Sequence, residues 1–278
     1  APRELENPGA IVAIGDGAAV VTGSQTSRRL VGVAPDLAVR FNVPLAGAGS
    51  RRAALAAGPD GRLYVTWPEA PDVRVFSATG ELVEEITVAI ESEPGFNGNR
   101  ALAVSPAGEV YVFEDDAIVV LNGDRERDDT IETALRETLG ALESAPDYAL
   151  FGPDGFLHLF DNESDTVLRT DFLGRSVSTV TLADARAARG FTIDGLLNYY
   201  LADTGNHRLF KFSPEGERLA VIGEFGSSPG RFRAPEAVAA RNDGSLFVSD
   251  TASDRVQLLE RVGPPIQFGV IAEYGEQF

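Results

Sequence analysis

The stretch GRFRAPEAVAARNDGSLFVSDTASDRVQLL (230–259) holds the structural phrase on which the whole chain is built. A run of small apolar residues is followed by Asn-Asp-Gly, an apolar strand, a second turn and another apolar strand. Asn-Asp-Gly supplies the positive φ that joins two antiparallel strands. Alternating or continuous apolar residues on either side favour β-strands rather than helix.

The same phrase recurs six times, which decides the fold. The copies lie at 10–21, 53–65, 101–112, 148–160, 191–201 and 237–248, with turn glycines Gly17, Gly61, Gly108, Gly155, Gly195 and Gly244. The glycines are separated by 44, 47, 47, 40 and 49 residues, a spacing typical of propeller blades. The sequence therefore predicts an all-β, six-bladed β-propeller with four antiparallel strands per blade. We expect one domain over 1–278, with blades near 7–45, 51–90, 99–142, 147–182, 189–225 and 235–274.

The residue types within each copy agree with strands A to D of a blade. The strand before the turn is rich in alanine, as in 53–56, 101–103 and 237–239, because inner strands converge on one axis. Fourth strands are predicted at 81–90, 175–182, 218–225 and 266–274. We expect each blade to be one contiguous segment; the alternative is that residues 1–8 add an edge to the last blade.

The third copy departs from this plan. Residues 124–145 place Ile131, Leu135, Leu139 and Leu142 on one helical face, with Gly140 near the end. Asp129 or Thr130 is suited to cap such a helix. The sequence predicts a short helix that replaces or follows the outer strand, and one more helical turn within 182–190.

Three segments resemble NHL repeats. GRFRAPEAVAA (230–240) resembles the opening of such a repeat, and LADTGNHRLFKF (201–212) and VSDTASDRVQLL (248–259) resemble its central phrase. The resemblance implies that Asp203 with Arg208, and Asp250 with Arg255, tie a turn together within a blade. It also implies a rigid disc used for contacts with protein, glycan or RNA.

Composition limits the partners and the compartment. The net charge is −18, which disfavours nucleic acid and anionic membranes. No apolar run approaches the roughly 18 residues of a membrane span. The chain begins at Ala1 and has no Met and no Cys. We expect an exported, extracytoplasmic protein (periplasmic, secreted or at the cell surface) whose signal peptide has been removed.

Catalytic motifs are scarce. With only His158 and His207, a three-histidine zinc site is impossible, and cysteine chemistry is excluded. His158 lies in an apolar strand and His207 in the NHL phrase, so both are predicted to be structural. No nucleophile elbow, P-loop or dinucleotide fingerprint is present.

Calcium is the cofactor that the sequence leaves open. Some six-bladed propeller hydrolases hold a hard cation on their axis, and oxygen ligands are abundant here, including Asp115, Asp116, Asn162, Asp194 and Asp203. Their spacing does not form a local metal-binding motif. We therefore expect no cofactor and interpret these residues as solvated carboxylates in turns, with calcium as the alternative.

The predicted binding residues lie in turns on one face of the propeller. Trp67, the only Trp, lies in a B–C turn and is either an interface anchor or a packing residue. Inter-blade loops carry Arg51, Arg52, Arg100, Arg231 and Arg233, which would form a basic lip suited to an acidic protein or a carboxylated glycan. The leading hypothesis is a non-catalytic binding or scaffold subunit of a larger extracytoplasmic assembly. The alternative is a calcium-dependent hydrolase or lactonase with an axial site.

Overall fold

The computed structural model describes residues 5–24, 27–47, 52–68, 70–88, 90, 100–114, 117–183, 188–261 and 268–274. Within them the chain forms six antiparallel sheets, one for each sequence repeat, and these sheets are the blades of a six-bladed β-propeller. The predicted fold class is confirmed.

The strands follow one another in chain order through the six blades. Blade 1 contains β1 (Ile11–Ile14), β2 (Gly17–Thr22), β3 (Arg29–Val33) and β4 (Val39–Pro44). Blade 2 contains β5 (Ala54–Ala57), β6 (Leu63–Thr66), β7 (Asp72–Phe76) and β8 (Leu82–Thr87). Blade 3 contains β9 (Arg100–Val104), β10 (Val110–Glu114), β11 (Ala117–Leu121) and the helix α1 (Asp129–Leu139). Blade 4 contains β12 (Tyr148–Phe151), β13 (Leu157–Asp161), β14 (Thr166–Thr170) and β15 (Ser176–Thr181). Blade 5 contains β16 (Phe191–Ile193), β17 (Tyr199–Asp203), β18 (Arg208–Phe212) and β19 (Arg218–Ile222). Blade 6 contains β20 (Pro235–Ala240), β21 (Leu246–Asp250), β22 (Arg255–Arg261) and β23 (Phe268–Tyr274).

Among the described residues every sheet is built from consecutive strands, as expected for contiguous blades. The second strand of each blade is buried along its whole length, and the fourth strands of blades 2, 4 and 5 are exposed at most positions. This difference arises because the second strand is flanked by strands on both sides, whereas the fourth strand lies at the edge of its sheet.

Helix α1 takes the place of the fourth strand in blade 3, whose described sheet has three strands. Its N-cap is Asp128, one residue before the predicted cap, and the Asp128 carboxylate accepts from the backbone N–H groups of Thr130 and Ile131. Ile131 and Leu135 are buried against the sheet, while Leu139 and Leu142 are partly buried, as the helical pattern predicted. Residues 184–187 of the predicted helical turn in 182–190 lie outside the described ranges.

The turn glycines were predicted correctly in four blades and wrongly in two. Gly61, Gly108, Gly155 and Gly244 have positive φ. In blade 1 the left-handed residue is Gly15, and Gly17 begins β2, where a Cβ would lie 2.1 Å from the carbonyl oxygen of Val33. In blade 5 Leu197 takes the left-handed position instead of Gly195. At both Gly17 and Gly195 the close approach of another backbone segment, and not turn geometry, accounts for the glycine.

The chain divides into two compact units. Unit 1 comprises Ala1–Ser50 and Ala183–Phe278, which hold blades 1, 5 and 6, and unit 2 comprises Arg51–Leu182, which holds blades 2 to 4. Within unit 1, blade 1 packs on blade 6 through a core that includes Leu5, Val31, Phe247 and Leu258. Within unit 2, one apolar core joins blades 2 and 3 and another joins blades 3 and 4. No helix in the described ranges is long and apolar enough to cross a membrane.

Candidate functional site on blades 5 and 6

The two NHL-like phrases form the same turn in blades 5 and 6. Strand β17 ends at Asp203 and β18 begins at Arg208, which lies opposite it in the ladder; their side chains form an ion pair at 2.8 Å. Asp250 and Arg255 pair in the same way at 3.0 Å across β21 and β22. The structural role predicted for both pairs is confirmed. Each turn is a short 3₁₀ segment that ends in a left-handed residue, His207 in blade 5.

The blade 6 pair also holds the loop of residues 223–234, which connects blade 5 to blade 6. The Asp250 carboxylate accepts from the backbone N–H groups of Arg233 and Ala234, both at 2.8 Å. Arg255 donates to the carbonyl oxygens of Ser227 and Arg231, both at 2.6 Å. Because Asp250 and Arg255 are buried, these bonds fix the loop backbone from beneath.

Gln257 completes this support. The buried Gln257 amide accepts from Gly230 N–H at 2.8 Å and donates to the Arg231 carbonyl oxygen at 2.9 Å. The carbonyl oxygen and the amino group of the Gln257 amide therefore both bind the loop backbone. The loop backbone is thus held by buried side chains of blade 6.

The exposed side of this loop carries an aromatic and cationic cluster. Phe225 is 63% exposed, and its ring lies 4.8 Å from the His207 ring. His207 Nδ1 donates to the carbonyl oxygen of Arg233 at 2.6 Å. Arg231 and Arg233 are exposed at the same loop, as predicted. We call Phe225, His207, Arg231 and Arg233 the blade 5–6 surface.

The two arginines of this surface differ in whether they form an ion pair. Arg231 pairs with Glu224 at 2.8 Å, with both side chains at least half exposed. The aliphatic part of Arg231 crosses Gly226, where a Cβ would lie 2.6 Å from Arg231 Cδ. Within the described part of the chain, Arg233 forms no ion pair. Its guanidinium is the charge of this surface that has no ion-pair partner among the described residues.

The other predicted binding residues have different environments. Trp67 is buried, with the Arg74 guanidinium 4.9 Å from its ring centroid, which corresponds to the packing alternative. Arg52 donates to the Tyr148 hydroxyl at 3.0 Å, between the ends of the inner strands of blades 2 and 4. Arg51 lies outside the described residues. A binding role for these residues stays a prediction.

Arg100 was wrongly assigned to the exposed lip. It is the first residue of β9 and lies opposite Glu114, with which it forms a buried ion pair. It also donates to the Thr66 hydroxyl at 2.9 Å and to the carbonyl oxygens of Ala70 and Pro68 at 2.8 and 3.2 Å. Arg100 therefore ties the B–C turn of blade 2 to blade 3.

The candidate calcium ligands have protein partners where the structure describes them. Asp194 accepts from Asn198, Tyr200 and Lys211 side chains. Its burial acts to raise the pKa, but hydrogen bonds from Asn198 and the charge of Lys211 outweigh this and lower it. Asp115 and Asp116 lie outside the described ranges. Among the described residues, no group of three or more acidic or histidine side chains is arranged to hold a metal.

His158 is a buried residue of β13, as predicted. Its Nε2 lies 3.2 Å from the Asp154 carboxylate, which also pairs with Arg169 at 2.9 Å. Burial lowers the pKa of His158, although Asp154 acts in the opposite direction. The ring is 1% exposed, so it has no access to a substrate.

Comparison with known proteins shows the fold alone. No family model and no curated protein matches this sequence. Among solved structures, a streptogramin B lyase is similar over 98% of this chain and 84% of that chain, with a TM-score of 0.61 and 13% identity. A nidogen/laminin complex chain is similar over 87% of this chain and 89% of its own, with a TM-score of 0.59 and 18% identity. An auxiliary nutrient binding protein from Bacteroides thetaiotaomicron is similar over 90% of this chain and 68% of its own, with a TM-score of 0.60 and 14% identity. At such identities, similar folds host unrelated activities.

Proposed function

We propose that this chain is an exported, non-catalytic NHL-type propeller that serves as a binding or scaffold subunit of an extracytoplasmic assembly. Its blade 5–6 surface binds an acidic segment of a protein partner. The observation that carries this proposal is the combination of the exposed Phe225 and the unmatched Arg233 on a loop whose backbone is held by buried side chains.

Rigidity favours binding because ordering a loop costs free energy on association. Here the backbone from Ser227 to Ala234 is already bound to Asp250 and Arg255. The aromatic and arginine side chains of the surface are of the types that dominate protein interfaces. The surface therefore offers anchors whose positions are set in advance.

The chemistry of the surface favours a carboxylate partner. An arginine binds a carboxylate with two parallel hydrogen bonds, which gives both energy and orientation. Unit 1 has 14 basic and 17 acidic residues, whereas unit 2 has 10 and 25. An acidic segment therefore meets far less repulsion at unit 1. A protein segment can also supply an apolar side chain for Phe225, and one of the similar folds comes from a nidogen/laminin protein complex.

The lack of Cys and Met is compatible with export, since the chain then has none of the side chains that oxidise most readily. Fractionation of the native host followed by immunoblotting tests this part. A protein that remains with the cytosolic markers would contradict it without affecting the binding proposal.

The binding test uses labelled poly-L-glutamate as the acidic probe and fluorescence anisotropy as the readout. Wild-type protein is compared with R231S/R233S and F225S, and with R136S/R175S as a matched control for two exposed arginines in unit 2. We expect R231S/R233S to weaken binding about tenfold or more, and the control to leave it within about twofold. The affinity should fall as salt increases.

Two outcomes would overturn the proposal. Equal weakening by the control would show that binding reflects general charge and not this surface. Polygalacturonate that binds more tightly than poly-L-glutamate, with the same dependence on Arg231 and Arg233, would identify the partner as a carboxylated glycan. Metal analysis of the native protein, with and without EDTA, separately tests the calcium-dependent alternative.

A further inference from the structure

The turn between β14 and β15 in blade 4 exposes two adjacent apolar side chains. Phe172 is 62% exposed and Leu173 is 39% exposed. Large apolar side chains at the tip of a turn contact water at a cost and are characteristic of interaction sites when they occur together. We call these two residues the blade 4 tip.

The turn does not need these side chains for its own geometry. Blades 2 and 5 have the same turn, in which Gly80 or Gly216 has positive φ and Ser77 or Ser213 accepts two backbone N–H groups. In those blades the tip is Ala-Thr (78–79) and Pro-Glu (214–215). Blade 4 has a glycine with positive φ at the same position, Gly174, and Asp171 as its capping side chain, but its tip is Phe172-Leu173. The apolar pair is therefore an addition to a turn that forms without it.

The blade 4 tip is held in a fixed position. Asp171 accepts from the backbone N–H groups of Leu173 and Arg175, both at 3.0 Å, and from the Arg175 side chain at 2.8 Å. Behind the tip, Gly174 lies against α1 so closely that a Cβ would be 2.8 Å from Leu135 Cγ. The helix that replaces the outer strand of blade 3 thus supports the tip of blade 4.

The surroundings of the tip are acidic. Unit 2, which contains both the tip and α1, has a net charge of −15 from 10 basic and 25 acidic residues. Helix α1 exposes Asp129 and Glu137 together with Arg136, and the exposed Arg175 of the turn is paired with Asp171. A partner that buries Phe172 and Leu173 must approach this negative potential, which favours a positively charged surface and repels a negative one.

We propose that the blade 4 tip packs against an apolar surface bordered by Lys or Arg on a protein partner. The blade 4 tip shares no residue with the blade 5–6 surface, and the inference does not depend on the function proposed above. Together, the two surfaces would let one chain contact an acidic partner through unit 1 and a basic partner through unit 2.

The probe for this proposal is an amphipathic peptide of leucine and lysine, roughly 14 residues long, because it presents an apolar stripe bordered by ammonium groups. Its affinity is measured by isothermal titration calorimetry at about 0.15 M salt, where long-range charge effects are largely screened. The variant F172S/L173S should weaken binding about tenfold or more, as expected for removal of a central apolar anchor. The matched control is L196S, which removes an apolar side chain that is 71% exposed in unit 1, and it should leave the affinity unchanged.

Three results would overturn the proposal. The first is equal affinity for wild type and F172S/L173S, including no measurable binding to either. The second is comparable binding of the corresponding leucine and glutamate peptide, which would remove the charge preference. The third is a change in the sedimentation coefficient of the protein alone on introducing F172S/L173S, which would identify a second copy of the chain as the occupant.

Discussion

In blade 6 the carboxylate that ends the second strand, Asp250, pairs with Arg255 at the start of the third strand. In blade 3 the corresponding carboxylate, Glu114, pairs with Arg100 at the start of the first strand. The two carboxylates occupy the same register position, and both are buried. The arginine belongs to the third strand in blade 6 and to the first strand in blade 3, which flank the second strand on opposite sides.

This difference changes what each ion pair holds in place. Arg255 reaches the loop that precedes its own blade, including the carbonyl oxygen of Ser227. Arg100 reaches the preceding blade itself and binds Thr66 and the turn that follows β6. The blade 6 pair organises a surface loop, whereas the blade 3 pair connects two blades within unit 2. Placing the cation on the first strand instead of the third thus converts a loop anchor into a connection between blades.

The largest expected effect is that of R100A. The substitution leaves Glu114 buried without its cation and removes donors from two carbonyl oxygens of blade 2, so we expect a loss of about 3–5 kcal/mol of unfolding free energy. Urea denaturation followed by circular dichroism measures it. The double variant R100M/E114L removes both charges and should recover much of the loss. A loss that is no smaller in the double variant would show that packing, and not the unpaired carboxylate, dominates.

R255A tests the blade 6 side of the comparison. Asp250 would remain buried without its cation, and we expect a loss of about 3 kcal/mol, together with weaker binding of poly-L-glutamate because the loop is no longer held. The matched control is R208A, whose ion pair with Asp203 includes an arginine that is 36% exposed. Asp203 is buried, but Arg208 is partly exposed and Asp203 keeps its hydrogen bonds from Asn206, so R208A should cost about 2 kcal/mol, less than R255A. Equal losses in R255A and R208A would contradict the distinction between a loop anchor and a partly exposed turn pair.

The same comparison explains which features could be predicted from sequence. Asp250 and Arg255 are five residues apart, so a local phrase reveals their pairing. Glu114 and Arg100 meet only through the register of β9 and β10, and the loop-like residues before Arg100 suggested exposure instead of strand. Phe225 and His207 are also separated in sequence, and their contact depends on how the loop folds over the blade 5 turn. The periodic glycines and alanines specified the blades, but they carry no information about which side chains meet across them.

Blade 4 provides a smaller expected effect than R100A or R255A, because among the described residues the carboxylate at the same register position has no arginine partner. Asp161 ends β13 and accepts from the hydroxyls of Ser144 and Ser164, both at 2.7 Å, and from backbone N–H groups including that of Glu163. Burial acts to raise the pKa of Asp161, but these hydrogen bonds outweigh it and lower the pKa. We expect D161N to cost about 1–2 kcal/mol at pH 7, since an amide cannot accept all of these bonds.

The pH dependence of D161N separates this interpretation from a simple loss of packing. A carboxyl whose pKa is lower in the folded state than in the unfolded state stabilises the fold above its unfolded pKa of about 3.9. That contribution is lost as the pH falls through the folded pKa, because protonation then removes the charge that the hydrogen bonds stabilise. The difference in unfolding free energy between wild type and D161N should therefore shrink from pH 7 to pH 3 and continue to fall below it. A difference that stays constant over this range would mean that hydrogen bonds to the charge of Asp161 do not stabilise blade 4, and that the serines there do not replace the arginine of blades 3 and 6.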